Sequence, residues 1–128
     1  MMTEGDPLTP IRTVSEHFAV PISTLHYWER RGLISPRRQA GQRFYDADQL
    51  YRVALIKMWR TTGRIGIPEI ARMLGAPGWQ DTIAEQLSQL EEQLAALTAA
   101  HSYLTRLSNC RQSTPERCPE FRASVDLG

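Results

Sequence analysis

Val14-Ser15-Glu16-His17-Phe18-Ala19-Val20-Pro21-Ile22-Ser23-Thr24-Leu25-His26-Tyr27-Trp28-Glu29-Arg30-Arg31-Gly32-Leu33-Ile34 is the stretch whose reading decides the fold. Ser35-Pro36-Arg37-Arg38-Gln39-Ala40-Gly41-Gln42-Arg43-Phe44-Tyr45 follows it directly. The first segment reads as a helix over Thr13–Phe18, a turn at Ala19-Val20-Pro21 and a second helix that ends at Gly32. Proline presets the backbone for a helix start, and glycine accepts the left-handed conformation that ends one. In the second segment Pro36 and Gly41 bracket a hairpin loop. A short helix, a tight turn and a second helix can set side chains in a DNA major groove, and a basic hairpin beside them can hold the flanking phosphates.

Outward from that stretch, Asp46 is a good N-cap for a helix of about fifteen residues. Leu50, Val53, Ala54, Ile56 or Lys57, and Met58 offer its inner stripe. Gly63 stops this helix, and Pro68 opens a short one through Leu74. Leu25, Trp28, Leu33, Leu50, Val53, Ile70 and Leu74 can close a small core. Gly75-Ala76-Pro77-Gly78 reads as a linker. Beyond it, Ile83, Leu87, Leu90, Leu94, Leu97, His101 and Leu104 recur at alternating spacings of four and three. That is a heptad seam with one polar member. A helix over Thr82–Asn109 with such a seam needs a partner helix, or must fold back on its own head. His101 reads as a polar spacer on the seam or as a ligand.

Composition narrows the function classes. The 128 residues suit one compact domain and an extension. No apolar run approaches the roughly 18 residues of a membrane span. The start, Met1 to Pro7, lacks the basic and apolar segments of a signal peptide. The expectation is a soluble cytoplasmic protein, nucleoid-associated if bacterial, without a membrane partner. The net charge of +1 hides an asymmetry: residues 12–72 carry eleven Lys/Arg against five Asp/Glu, and residues 73–128 carry four against seven. Arg30, Arg31, Arg37, Arg38 and Arg43 fall in a stretch without an acid, which is the footprint of a nucleic-acid partner when it coincides with such a motif. A glycine-rich phosphate loop and a paired-carboxylate cleft are both missing, so an enzyme is not expected.

Ordered this way, Thr24-Leu25-His26-Tyr27-Trp28-Glu29, Gly32-Leu33-Ile34, Gly41-Gln42-Arg43-Phe44-Tyr45, Asp46-Ala47-Asp48-Gln49-Leu50 and Gly63–Leu74 together resemble the mercury-resistance regulator family, the MerR-type transcription factors. The resemblance covers roughly residues 11–109. It implies a mainly α-helical fold: a winged helix-turn-helix head with a small β-hairpin wing, then a long dimerisation helix in an antiparallel coiled coil. The division expected is a disordered tail over 1–10, the head over 11–75, linker and dimerisation helix over 76–109, and an effector loop with tail over 110–128. The DNA contacts expected are Ser23, Thr24, His26, Tyr27 and Arg30 on the recognition helix, Arg37, Arg38, Arg43 and Tyr45 on the wing, and Lys57 beyond it. Trp28 faces inward. His26 stands where the family usually has arginine, keeping a donor but not the fixed charge. The implied partners are double-stranded promoter DNA, a second copy of the chain and RNA polymerase. The rival reading is a coiled-coil interaction protein whose head no longer binds DNA.

Cys110 and Cys118 bracket a polar loop just past the long helix. The loop looks like that of the copper- and gold-sensing branch, where two thiolates hold a soft monovalent ion such as Cu(I) in linear geometry. Zn²⁺ prefers four ligands. The pair also fits a thiol switch that closes a disulfide, or small residues that pack the tail.

Overall fold

The computed structural model describes residues 7–128. They divide into two compact units, the first ending at Thr82 and the second running over Ile83–Gly128.

The first unit is built around α1 (Ile11–Phe18), which adjoins β1, α2, α3 and β3. Its Val14 is fully buried. The helix starts two residues earlier than the sequence suggests, because Thr9–Pro10 forms a short strand, β1, directly before it. The expected tail therefore ends sooner than residue 10; its residues 1–6 lie outside the described residues. α1 ends on Ala19, which holds a left-handed conformation (φ 55°, ψ 46°) without being glycine. Val20 then donates to the Ser15 carbonyl and Lys57 Nζ to that of Phe18, which supplies donors and a cation to the helix C-terminus.

α2 (Ile22–Arg30) follows Pro21 and buries Leu25 and Trp28. Gly32 (φ +76°) lets the chain reverse, and Leu33 donates to the Trp28 carbonyl at 2.9 Å. The wing is β2 (Arg37–Gln39) and β3 (Gln42–Tyr45), joined at Ala40 and Gly41. Both turn residues have positive φ, 52° and 79°, as a two-residue turn matching the strand twist requires. β1 adds to the other side of β3, giving an antiparallel sheet in the order β1-β3-β2. The register sets Thr9 against Tyr45, Arg37 against Phe44, and Arg38 against Arg43.

α3 (Ala47–Thr61) is capped as expected: Asp46 Oδ1 accepts from the Gln49 N–H at 2.9 Å. It buries Val53 and Ile56, but Met58 points out and is 59% exposed. The inner face thus runs through 53 and 56 rather than on to 58. After Gly63, α4 (Ile67–Met73) buries Ile70 and Met73. Trp59 of α3 lies 6.4 Å, ring to ring, from Trp79 at the start of the next helix. The core holds Leu25, Trp28, Leu33, Val53 and Ile70 as expected, with Leu50 and Leu74 only half-buried; Val14, Val20, Ile34, Tyr45, Ile56, Ile65 and Met73 complete it.

α5 (Trp79–Ser108) has 30 residues, about 45 Å at 1.5 Å per residue, and buries none of them. Leu87, Leu94, Leu97 and Leu104 are 54–66% exposed, His101 is exposed, and Ile83 and Leu90 are half-buried. In the second unit, residues beyond α5 form a 3₁₀ turn (Pro115–Arg117) and a short helix α6 (Pro119–Ala123). Arg106 Nε meets Glu120 Oε1 at 2.7 Å within this unit.

Asp46 closes both the wing and the first turn of α3. Replacing it with alanine removes one charge-assisted cap and should lower stability by about 1 kcal/mol, read as a lower midpoint at unchanged slope in urea unfolding.

Candidate nucleic-acid interface and thiol loop

Alternation along β3 decides how the wing presents its cations. Successive strand residues point to opposite faces, so Arg43 and Tyr45 share a face, and so does Arg38, which stands across from Arg43. That face looks back at α2. Tyr45 is fully buried there. Arg43 is not a free wing-tip cation: its Nε donates to Glu29 Oε1 at 2.5 Å, and its side chain is only 24% exposed. Arg38 reaches the other Glu29 oxygen at 3.8 Å while remaining largely open. Arg37, on the opposite face, lies 3.8 Å from Asp46 and is likewise open.

The recognition-helix residues divide between two clefts. Thr24, Tyr27 and Trp28 line one of about 290 Å³ together with Lys57, Arg60 and Ile67. His26, Glu29 and Arg30 line another of about 370 Å³ together with Arg38 and Arg43. Ser23 and Tyr27 are exposed, Thr24 and His26 half-buried. The Arg30 guanidinium sits 5.9 Å from the centre of the Tyr27 ring. Arg30 and Arg31 form no ion pair among the described residues, so their charge is open to a ligand.

One expected contact needs correcting. Tyr45 offers no side chain to DNA, because its ring fills the core. Its hydroxyl is buried without a hydrogen-bond partner among the described residues. Burial, then the Glu29 carboxylate, push its phenol up to about 12, against the opposing pull of Arg43. Lys57 stays beside Thr24 and Tyr27 in their cleft and also donates to the Phe18 carbonyl across the helix-turn-helix. Sequence reasoning passed over Glu29. The signal was available: it is the lone acid between Glu16 and Asp46, set among arginines.

In the second unit, Cys110 and Cys118 come together. Both are free thiols and line a cavity of about 600 Å³ with Tyr103, Leu107, Pro115 and Phe121. Cys118 is buried and precedes α6. The Phe121 backbone N–H, then the Cys110 side chain, hold its thiol below the ordinary thiol range, against burial and the Glu120 charge. No cluster of three or more His, Cys, Asp or Glu side chains able to hold a metal occurs among the described residues. No helix among them is long and apolar enough to cross a membrane.

Residues 9–76 match the model of the MerR HTH family of regulatory proteins. The chain belongs to this family. Among curated proteins it is 32% identical, over 92 residues, to the nodulation protein NolA of Bradyrhizobium sp. strain NC92, and 33% identical over 91 residues to that of Bradyrhizobium elkanii. Those alignments cover 70% and 69% of this chain but only 38% and 41% of the relatives, so the chain spans about two fifths of their length. Among solved structures, the lead(II) complex of the transcription regulator PbrR691 from Ralstonia metallidurans CH34 superposes with a TM-score of 0.66 at 19% identity. It covers 91% of this chain and 99% of that one. The EcmrR–DNA complex in EcmrR-RPo superposes at 0.64 and 27%, covering 81% of this chain and 41% of that one. This MerR-type chain thus carries the fold of a DNA-binding transcriptional regulator, and its family and fold relatives are regulators rather than enzymes.

The buried phenol gives a test of the corrected interface. Tyr45→Phe should leave DNA affinity unchanged in a binding titration and stability equal or higher, since no hydrogen bond is lost. An unfolded tyrosine releases its proton near 10.0 and the folded one near 12. Wild-type stability should therefore fall as pH climbs between those values, and the variant should lose that dependence in denaturant titrations at alkaline pH.

Proposed function

We propose that the protein is a homodimeric, sequence-specific regulator of transcription that binds double-stranded promoter DNA. The observation that carries this is the exposed surface of α2, with Ser23, Tyr27 and Arg30, flanked by the arginines of the wing. A helix of this size enters a major groove, and the wing cations meet phosphates beside it. Ser23, Thr24, His26, Tyr27 and Arg30 are assigned to the groove and its edges, and Arg37, Arg38 and Arg43 to the backbone. RNA polymerase is the further partner that the family suggests. On this reading the dimer bends and untwists the promoter, at a cost of a few kcal/mol that an effector state can raise or lower.

The dimer is assigned to the seam of α5. Leucines more than half exposed at heptad spacing along about 45 Å of helix call for a second helix, and an antiparallel pair of copies supplies it. Leu90→Asp with Leu94→Asp should therefore give monomers by sedimentation velocity and abolish shifting of a duplex from its own promoter region. Buried unpaired charges at adjacent seam positions cost several kcal/mol. A wild-type chain that sediments as a monomer at micromolar concentration overturns the assignment.

The effector is assigned to Cys110 and Cys118. Two thiols lining one cavity, with no third metal-binding side chain clustered with them among the described residues, suit a soft monovalent ion such as Cu(I) better than Zn²⁺. Cys110 and Cys118 would hold such an ion, and holding it would order the loop between them. Two free thiols lining the same cavity also suit a second reading, a disulfide switch without metal. The double Cys→Ser variant should still dimerise and shift DNA while losing its response to Cu(I) in a transcription assay. Competition with a Cu(I) chelator that shows affinity no better than a free dithiol peptide removes the metal, and a response to oxidant with loss of both free thiols installs the switch.

A further inference from the structure

We infer that Glu29 is the positioning residue of the DNA interface, fastening the wing residues Arg38 and Arg43 to the recognition helix so that their free N–H edges face a phosphate. The inference rests on the reading of the head as DNA-binding.

Glu29 stands in the last turn of α2, with its side chain 23% exposed. One of its oxygens takes Arg43 Nε at 2.5 Å, and the other faces Arg38 at 3.8 Å. Arg38 and Arg43 are direct cross-strand partners. Like charges in that position repel and loosen a hairpin. A carboxylate between them removes the repulsion and ties both strands to the helix. Among the described residues it is the one side chain of α2 that holds the hairpin by an ion pair or hydrogen bond. Arg43 donates there only through Nε, so both of its Nη groups are left without a partner among the described residues. A guanidinium held by Nε presents its Nη pair as a fixed fork, the geometry that a phosphate accepts. Arg43 lines the cleft of about 370 Å³ together with His26, Arg30 and Arg38. Three guanidinium groups against one carboxylate leave that cleft net positive.

This role gives an expectation opposite to plain electrostatics. Taking a negative charge from a surface that meets a polyanion ordinarily tightens binding. If Glu29 aims the arginines, removing its charge weakens binding instead. The test uses the full chain and a duplex selected from random sequence by the wild-type protein. Glu29→Gln should bind it about tenfold more weakly, the worth of one well-placed charge-assisted contact, with an unchanged thermal midpoint. In an Arg38→Ala/Arg43→Ala background the same change should cost nothing, since there is no longer anything to aim. Glu29→Asp keeps the charge but is one methylene shorter, and it should also weaken binding. Equal or tighter binding by Glu29→Gln, full binding by Glu29→Asp, or an equal loss in the double-arginine background overturns the inference. Wild-type protein that enriches no sequence overturns the DNA-binding reading beneath it, a result distinct from all three.

Discussion

The burial of Tyr45 is the constraint on which the geometry of the head depends. This residue ends β3, pairs with Thr9 of β1 and directly precedes the N-cap of α3. Its ring lies in the core, so the base of the wing cannot swing away from α1 and α2. Because a strand alternates its faces, fixing Tyr45 inward also fixes Arg43 and its partner Arg38 toward α2. The orphaned hydroxyl is the cost of that arrangement. Phenylalanine would fill the same space, so the fold itself does not require the oxygen.

The same alternation explains which parts of the interface were legible in the sequence. Helices, turns and caps were, because each announces itself locally: Pro21, Gly32, Asp46 and Gly63 act on their own neighbours. The long helix α5 was legible too, since a heptad pattern needs only spacing. A wing suggests exposure for Tyr45 and Arg43, whereas the core takes the Tyr45 ring and Glu29, fourteen residues away, takes Arg43. Lys57 donates to Phe18, 39 residues away, and nothing in its neighbours predicts that. Charge runs display composition, but not which cations are already spent on carboxylates and helix ends. The meeting of Thr9 and Pro10 with β3 was hidden for a similar reason, being a pairing of two residues with no strand pattern of their own.

The two units present different kinds of chemistry. The first places an exposed helix beside a basic hairpin, and its described side chains hold no cysteine. The second carries both thiols around one cavity, close behind a helix whose leucines remain open. The thiols and the basic surface are thus kept apart along the chain, with the 30 residues of α5 running from the end of one unit into the other. On the proposed reading, a change at the loop reaches the head by altering how two such helices pair, which needs packing to have two discrete arrangements rather than a chain of titrating groups.

The paired, tilted indoles of Trp59 and Trp79 give the molecule an optical property of its own. Of three tryptophans, two lie within 6.4 Å of each other where α3 meets the start of α5, and the third, Trp28, is buried in α2. Paired chromophores at such a distance couple, and their near-ultraviolet ellipticity and mutual quenching follow small changes in ring separation and tilt. The first turn of the long helix is therefore read out by intrinsic fluorescence without a label.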